Sequence, residues 1–243
     1  LLKDGMSFQT GAGGASLAAA KYLKDIMLEK GIKGSYGLGG ITSYMVDMLN
    51  AGCFEALLDV QCFDLGAVES IRTNPRHREV TASHYASPSV RSSAVDSLDV
   101  VILGATQIDT DFNVNVHTDS NGYIMGGRGG HSDTAAGAKM AMIIAPLTRA
   151  RLSIVVDRVL TVSTPGSTID VLVTQRGIAV NPRQQELKER LVKAGLPIVE
   201  IQDLKRIAEE LTGTPKPIHL GDKVVANVLY RDGSLLDTIK SVD

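Results

Sequence analysis

Met6-Ser7-Phe8-Gln9-Thr10-Gly11-Ala12-Gly13-Gly14 reads as a short strand running into a glycine-rich turn, and the helix after that turn decides the fold. From about Ala15 to Lys30 the residues take a helical period. Leu17, Ala20, Leu23 and Met27 form an apolar stripe, and Lys21, Asp25 and Glu29 lie at i, i+4 spacing on a polar one. Gly31 stops the helix. The pattern then repeats. Lys33–Tyr36 reads as a strand ending in Gly37-Leu38-Gly39-Gly40. Ser43 to Asn50 reads as a helix ending at Gly52, Ala56–Phe63 as a third strand, and Leu65–Arg72 as a short helix before Pro75. Strands alternating with helices predict an α/β fold: a mainly parallel sheet with helices on both faces.

Downstream the signals are shorter. Arg78–Tyr85 reads as extended, and Val100–Leu103 as a buried strand. Asn113–His117 and Gly122–Met125 look like paired strands around Asp119-Ser120-Asn121-Gly122. A helix opens near Asp133–Gly137. Met140–Ala145, Ser153–Val156, Asp170–Thr174 and Ile178–Val180 are further strands. Helical periods cover Arg183–Ala194 and the Leu204, Ile207, Ala208, Leu211 stretch, with Asp203 as a candidate N-cap and Gly213 past the end. Val224–Tyr230 and Ser234–Ile239 flank Arg231-Asp232-Gly233, a hairpin signal. The expected organisation is one compact domain over residues 1–243, with 183–243 as an appended helix-and-hairpin layer.

Composition narrows the function. Of 243 residues 44% are apolar, enough for a sizeable core, and the net charge of -2 argues against a field aimed at nucleic acid or anionic lipid. Aromatics are 4%, with no tryptophan, so stacking on bases or sugars is not the expected mode of recognition. Cys53 and Cys62 give neither a disulfide framework nor a zinc pattern, and no metal site is expected. No apolar run reaches membrane-spanning length and no signal peptide is visible, so a cytoplasmic location is expected. The chain opens on Leu1-Leu2-Lys3-Asp4-Gly5 without an initiator Met, as a piece of a longer polypeptide would.

The 24 glycines are clustered, ten between residues 1 and 52 and seven between 104 and 137. Gly11, Gly13 and Gly14 precede a helix, where peptide N–H groups hold phosphate or carboxylate; the stretch matches neither the dinucleotide fingerprint nor a P-loop, and an ordinary turn is the plainer reading. Gly126-Gly127-Arg128-Gly129-Gly130-His131-Ser132-Asp133 is harder to explain as a turn. Bare N–H groups there would form an oxyanion hole, with Arg128 facing a substrate carboxylate; the alternative is a bend with a solvated arginine. His131 reads as an acid or base, or as a helix-start residue beside Asp133. Gln107-Ile108-Asp109-Thr110-Asp111, with Asn113 and Asn115, is polar and follows a buried strand, where parallel-sheet enzymes bind ligands; a plain turn fits equally. The remaining histidines have no partner spacing. No Gly-x-Ser-x-Gly is present, and Cys62 reads as core rather than nucleophile.

These segments, in this order, resemble the CoA-transferase superfamily that includes acetyl-CoA hydrolases. The resemblance lies in Asp4 through Gly14, in Gly126–Asp133, in Gln107-Ile108-Asp109 with Asn113-Val114-Asn115, and in Val173 through Ala179. Within it the chain is similar to the citrate lyase alpha-subunit family, through Asp59 to Asp64, Ser70 to Pro75 and Tyr230 to Ser234. That subunit carries two related domains, and this chain looks like the second. The resemblance implies a CoA-transferase-like domain of the NagB/RpiA type. It implies transfer of a thioester from an acetyl carrier to citrate, giving citryl carrier and acetate. The implied cofactor is the CoA-like prosthetic group of an acyl carrier protein, with acetyl-CoA as surrogate. The implied partners are citrate, acetyl-acyl carrier protein and other citrate lyase subunits in an oligomer. Gly127, Arg128, Gly129 and Gly130 would act at the reacting carbonyl. Gly11, Gly13, Gly14, Ser35, Gly39, Gly40, Gln107, Asp109, Asn115 and His131 would line the substrate and thioester.

One departure from the resemblance matters. Many CoA-transferases place a nucleophilic glutamate after the second strand, but here that stretch is Ser35-Tyr36-Gly37-Leu38-Gly39-Gly40. Gln175 likewise stands where the hydrolase branch has a glutamate. The citrate lyase route without an acyl-enzyme is therefore implied. Two other readings stay open: a glutamate-dependent CoA-transferase or acyl-CoA hydrolase, with Glu55 or Glu69 as nucleophile, and a non-catalytic sensing or interface domain.

Overall fold

The structure is a computed structural model that describes residues 2–11 and 13–242. The chain divides into two compact units: Leu1–Leu103 with Gly137–Met140, and Gly104–Ala136 with Ala141–Asp243. A single domain was the expectation; the division falls just after the buried strand Val100–Leu103, where apolar residues give way to the polar run from Gly104.

The first unit contains β1 (Phe8–Thr10), α1 (Gly14–Lys30), β2 (Gly34–Ile41), α2 (Ser43–Asn50), β3 (Phe54–Cys62), α3 (Leu65–Thr73), β4 (His77–Glu79), α4 (Ala82–Ala86) and β5 (Val100–Leu103). The strands lie in the order β5-β1-β2-β3-β4, every pair parallel. The chain runs outward from β1 to β4 and then returns to the other flank of β1. The carboxyl end of β1 is thus a topological switch point, the place where open parallel sheets bind ligands. Gly11 to Gly14 leave the sheet at this point. The core is Phe8, Leu23, Met27, Leu38, Met45, Leu49, Phe54 and Leu57, with Phe8 and Phe54 stacked at 6.4 Å between ring centroids. Helix α1 buries Ala20, Leu23 and Met27 of the predicted stripe, while Leu17 stays half-buried and Ser16 is buried beside it, and Gly31 closes the helix at a φ of 64°.

Strand β2 continues to Ile41, so Gly37–Gly40 are strand residues rather than a turn after it. Packing explains them. A Cβ on Gly37 would meet Met45 Cε at 2.5 Å and Leu57 Cδ2 at 2.7 Å, and one on Gly40 would overlap the Phe63 ring. At the far end of β3, the buried Asp59 carboxylate accepts from Gln61 N (2.7 Å), Cys62 Sγ (2.9 Å) and His77 Nε2 (3.0 Å). The other ring nitrogen of His77 lies 2.9 Å from Ser70 Oγ on α3. This network pins the β2–β3 bulge, where the register steps from Gly39↔Asp59 to Gly40↔Gln61. Burial, then the Asp59 carboxylate, pushes the Cys62 thiol up to about 12, so it rests as an inert thiol.

The second unit contains β6 (Gln107–Asp109), β7 (Val114–Asn115), α5 (His131–Gly137), β8 (Ala141–Ile144), β9 (Thr148–Arg149), β10 (Leu152–Ser153), β11 (Val155–Val156), β12 (Val171–Thr174), β13 (Gly177–Val180), α6 (Gln185–Lys193), α7 (Ile201–Thr212), β14 (Leu220–Leu229) and β15 (Leu235–Val242). Strand β6 pairs antiparallel with β7 and parallel with β11. Strand β12 pairs parallel with β8 and antiparallel with β13. Helix α7 buries Ile201, Leu204 and Ala208 against β10, β11 and β13, whereas α6 has no fully buried residue. The terminal hairpin β14–β15 forms as its pattern predicts.

Three expectations are corrected. Arg78–Tyr85 is not one extended segment: Thr81 accepts from His84 N at 3.1 Å and caps α4. Asn113–His117 pairs with β6 through Val114–Asn115, and it meets the stretch after the turn only at its end: Met125 N donates to His117 O at 2.7 Å, Thr118 bridges Ile124, and Asp119 N donates to Tyr123 O at 2.9 Å. Helix α7 begins at an N-cap of Glu200, and Asp203 sits in its first turn, where its carboxylate accepts from Arg206. No helix among the described residues is long and apolar enough to cross a membrane.

Candidate functional site

The candidate residues fall into two groups, one in each unit. In the first unit, Gly13 caps α1 without any side-chain hydrogen bond, and no acidic residue lies in the helix's first turn. Gly13 and Gly14 are exposed, with nothing within 4 Å of a Cβ at either. Packing therefore does not require these glycines, and the helix start offers free donors and a favourable dipole to an anion. Ala12, within the same predicted loop, lies outside the described residues. Ser35 lies near the amino end of β2, its N–H donating to Met6 O at 2.8 Å. Gly39 and Gly40 lie at the other end, so Ser35 is not brought to the same edge.

Sequence reasoning missed Gln9. It is 7% exposed, donates from Nε2 to Tyr85 Oη at 2.8 Å, and leaves Oε1 without a partner among the described residues. A Cβ on Gly39, which holds a φ of 109°, would come within 2.9 Å of Gln9 Cδ. The signal available in the sequence was a glutamine near the end of an otherwise buried strand.

In the second unit, the N–H groups of Gly126, Gly127, Arg128, Gly129 and Gly130 donate to no acceptor among the described residues. The loop is exposed except at Arg128 and Gly130, yet it is tied down on both sides. Arg128 donates from Nη1 to Ser163 O at 3.3 Å and from Nη2 to Leu229 O at 2.6 Å. Its guanidinium thus staples the loop to β14, with two of its five donors used. His131, at the start of α5, donates from Nε2 to Gly104 O at 2.9 Å and bonds through Nδ1 to Thr164 Oγ1 at 2.7 Å. Asp133 forms a 3.6 Å ion pair with Arg231. His117, which has no partner spacing in the sequence, bonds to Ser163 Oγ at 2.6 Å. Distant partners such as Ser163, Thr164 and Leu229 carry no local signal.

Two candidates face inward. Asp109, 1% exposed, accepts from Asp111 N, Asn113 N, Asn113 Nδ2 and Val159 N. Asn115, 0% exposed, donates to Gln107 Oε1 and Thr118 and accepts from His117 N and Thr118 N. Both shape turns, and neither presents a free atom to a ligand. Gln107 also donates to Ser120 Oγ at 3.4 Å, and it borders a cleft in the same unit.

His131 is locked neutral. Desolvation is the largest cause, with the Arg128 and His117 charges adding to it, and its pKa falls from 6.5 to about 4. Both nitrogens are already engaged, which argues against the acid-base role expected for it. The neutral form is favoured on folding, so its stabilising contribution is complete above about 6.5 and is lost as pH falls toward 4. His117 is shifted in the same direction. The melting temperature should therefore fall across this window in the native protein, and His131→Gln should flatten that fall. Superimposable pH profiles would remove His131 as the cause.

The mainly parallel sheet with a glycine-rich turn at its switch point gives the fold class, CoA-transferase-like. The fold agrees: RipA from Yersinia pestis is similar, with a TM-score of 0.62 at 19% identity, over 86% of this chain and 50% of that one. The alpha subunit of a malonate decarboxylase from Acinetobacter baumannii gives a TM-score of 0.57 at 15% identity, over 88% of this chain and 53% of that one.

Within that class the chain belongs to the citrate lyase alpha-subunit family (CitF), whose sequence model matches residues 1–242. It is 52% identical to the citrate lyase alpha chain of Klebsiella pneumoniae over 240 residues, covering 99% of this chain and 47% of that protein. The Streptococcus mutans alpha subunit of citrate lyase, solved in complex with citrate, superimposes with a TM-score of 0.97 at 46% identity, over 99% of this chain and 48% of that one. The chain thus spans about half the length of the relatives it matches.

Proposed function

We propose that the chain takes part in thioester transfer from an acetyl-acyl carrier protein to citrate, without an acyl-enzyme. The carrying observation is the run of unpaired N–H groups from Gly126 to Gly130 on a loop stapled by Arg128. Such donors stabilise the oxyanion that forms as a thioester carbonyl is attacked. A citrate carboxylate adds to the acetyl carbonyl and the carrier thiolate leaves, giving a citric–acetic anhydride. The thiolate then attacks the citryl carbonyl and acetate departs, so citryl carrier and acetate are formed with no group left on the protein. The chain's residues position the partners and hold the oxyanion. The CoA-like prosthetic group would come with the carrier, and the other citrate lyase subunits would complete the oligomer.

The glutamate-dependent alternative finds little support in the geometry. Gly37–Gly40 offers no carboxylate. Glu55 lies at the amino end of β3, 66% exposed and paired with Lys33, and Glu69 forks onto Arg72 on the surface of α3. The test is acyl exchange between acetyl-carrier protein and citrate by the intact protein, run with hydroxylamine or borohydride trapping. Exchange with no trapped glutamyl adduct is the expected result. A trapped adduct on Glu55 or Glu69 would overturn the direct route.

A further inference from the structure

The second unit holds a cleft of about 420 Å³ lined by Gln107, Ser120, Asn121, Arg151, Ser153 and Lys216 among others. No carboxylate lines it; Asp157 and Glu209 border the adjoining cleft that shares Lys216, together with Arg158. Neither Arg151 nor Lys216 makes a hydrogen bond or ion pair among the described residues, whereas Lys205 nearby is fully engaged by Asp157 and Glu209. Ser120, Asn121 and Thr214 add hydroxyl and amide donors, whereas the Ser153 hydroxyl already donates to Val155 O, and Leu152, Pro215, Pro217 and Ile218 form an apolar wall.

The backbone holds both cations in unusual settings. Ala150 and Arg151 form the two-residue turn between β9 and β10, with φ values of 49° and 64°. A turn with two positive φ values favours Asn-Gly, because only glycine takes the second position without strain. Here an arginine stands in that position, beside the cleft. Lys216 precedes Pro217, which holds its backbone to extended conformations.

We infer that this cleft is a binding site for a phosphate-bearing small molecule, with Arg151 and Lys216 as its phosphate ligands. Two cations with several hydroxyl and amide donors suit the oxygens of a phosphoanion. The apolar wall suits the organic part of such a molecule, and the volume lies in the usual range of small-molecule sites. The source is either a free phosphorylated ligand or the phosphates on a CoA-type thioester. The second source rests on the acyl-transfer reading; the site itself does not.

The test is calorimetric titration of the intact protein with inorganic pyrophosphate, in the native form and as Arg151→Gly and Lys216→Ala. Each substitution should weaken binding about tenfold, the loss of one charge-assisted contact. Arg151→Gly should leave the melting temperature unchanged or raise it, which a merely structural arginine would not do. Native protein that fails to bind pyrophosphate, or variants that bind as the native form does, would overturn the site. Citrate binding there with pyrophosphate excluded would overturn the phosphate assignment. Kinetics then separate the sources. A KM raised for acetyl-CoA but not for acetyl-pantetheine supports the thioester's phosphates, and KM values unmoved for both support a separate ligand. Pyrophosphate binding needs no turnover, so failure of the acyl-transfer reading would leave this result standing.

Discussion

Asp59→Ala is expected to lower the melting temperature of the intact protein by roughly 10 °C. The carboxylate is 1% exposed and receives three hydrogen bonds, from Gln61 N, Cys62 Sγ and His77 Nε2. Alanine leaves the buried His77 Nε2 without its acceptor, and removes the acceptor of Gln61 N and Cys62 Sγ in the half-buried part of the network. Breaking a buried ionisable pair from one side costs about 3–5 kcal/mol, and each kcal/mol moves the midpoint by about 2–4 °C in a chain of this size. His77→Leu alone should also destabilise, since it leaves Asp59 without the imidazole. The double variant Asp59→Ala, His77→Leu should recover part of the loss, because neither the buried carboxylate nor the buried imidazole is then left facing a missing partner, although Ser70 Oγ still loses His77. A shift below about 2 °C for Asp59→Ala would show that water reaches the network. The consequence extends past stability, because the same carboxylate pins the bulge that sets Gly39 against Gln9.

The fold of the first unit was largely legible because its signals are local. The stripe Leu17, Ala20, Leu23, Met27 and the stop at Gly31 follow from helical period and backbone freedom alone; the stop appears as read, and the stripe is buried from Ala20 on, with Leu17 half-buried. The end of β2 departs from its sequence pattern for a physical reason. Glycine is a turn former by default, but Gly37 and Gly40 are glycines because Met45, Leu57 and Phe63 occupy the space above them. That space is set by residues up to twenty-odd positions away, which no local window shows. The same reason hid Asp109 and Asn115. Their polarity after a buried strand looks like a ligand edge, yet their hydrogen-bonding atoms are spent inside the fold: Asp109 on its own turn and on Val159 N, 50 residues away, and Asn115 on its own turn and on the Gln107 side chain. Arg128 shows the mixed case. The sequence placed it inside the glycine loop, but only the folded chain shows it holding Ser163 O and Leu229 O, a partner 101 residues away. A charge in a glycine-rich loop thus turns out to fix the position of the loop.

Gly129→Val is expected to lower kcat/KM for acyl exchange by about 100-fold or more while moving the melting temperature by only a few degrees. Gly129 holds a φ of 54°, and nothing lies within 4 Å of a Cβ built there. The cost of valine is therefore conformational rather than steric: a β-branched residue in the left-handed region is a strong outlier, of order 1–2 kcal/mol. The chain relieves that strain by rotating the backbone around residue 129, and the N–H groups of Gly129 and Gly130 swing with it. Loss of one aligned oxyanion donor costs about 10²–10³ in rate, so a modest strain produces a large kinetic effect. Gly127 supplies the control. Its Cβ position is also open, but its φ is not in the left-handed region, so Gly127→Ala should keep the loop and most of the activity. The loss should appear in kcat more than in KM, since the donors act on charge that develops only as the thioester carbonyl is attacked. Equal activity in Gly129→Val and Gly127→Ala would show that these N–H groups do not hold the oxyanion.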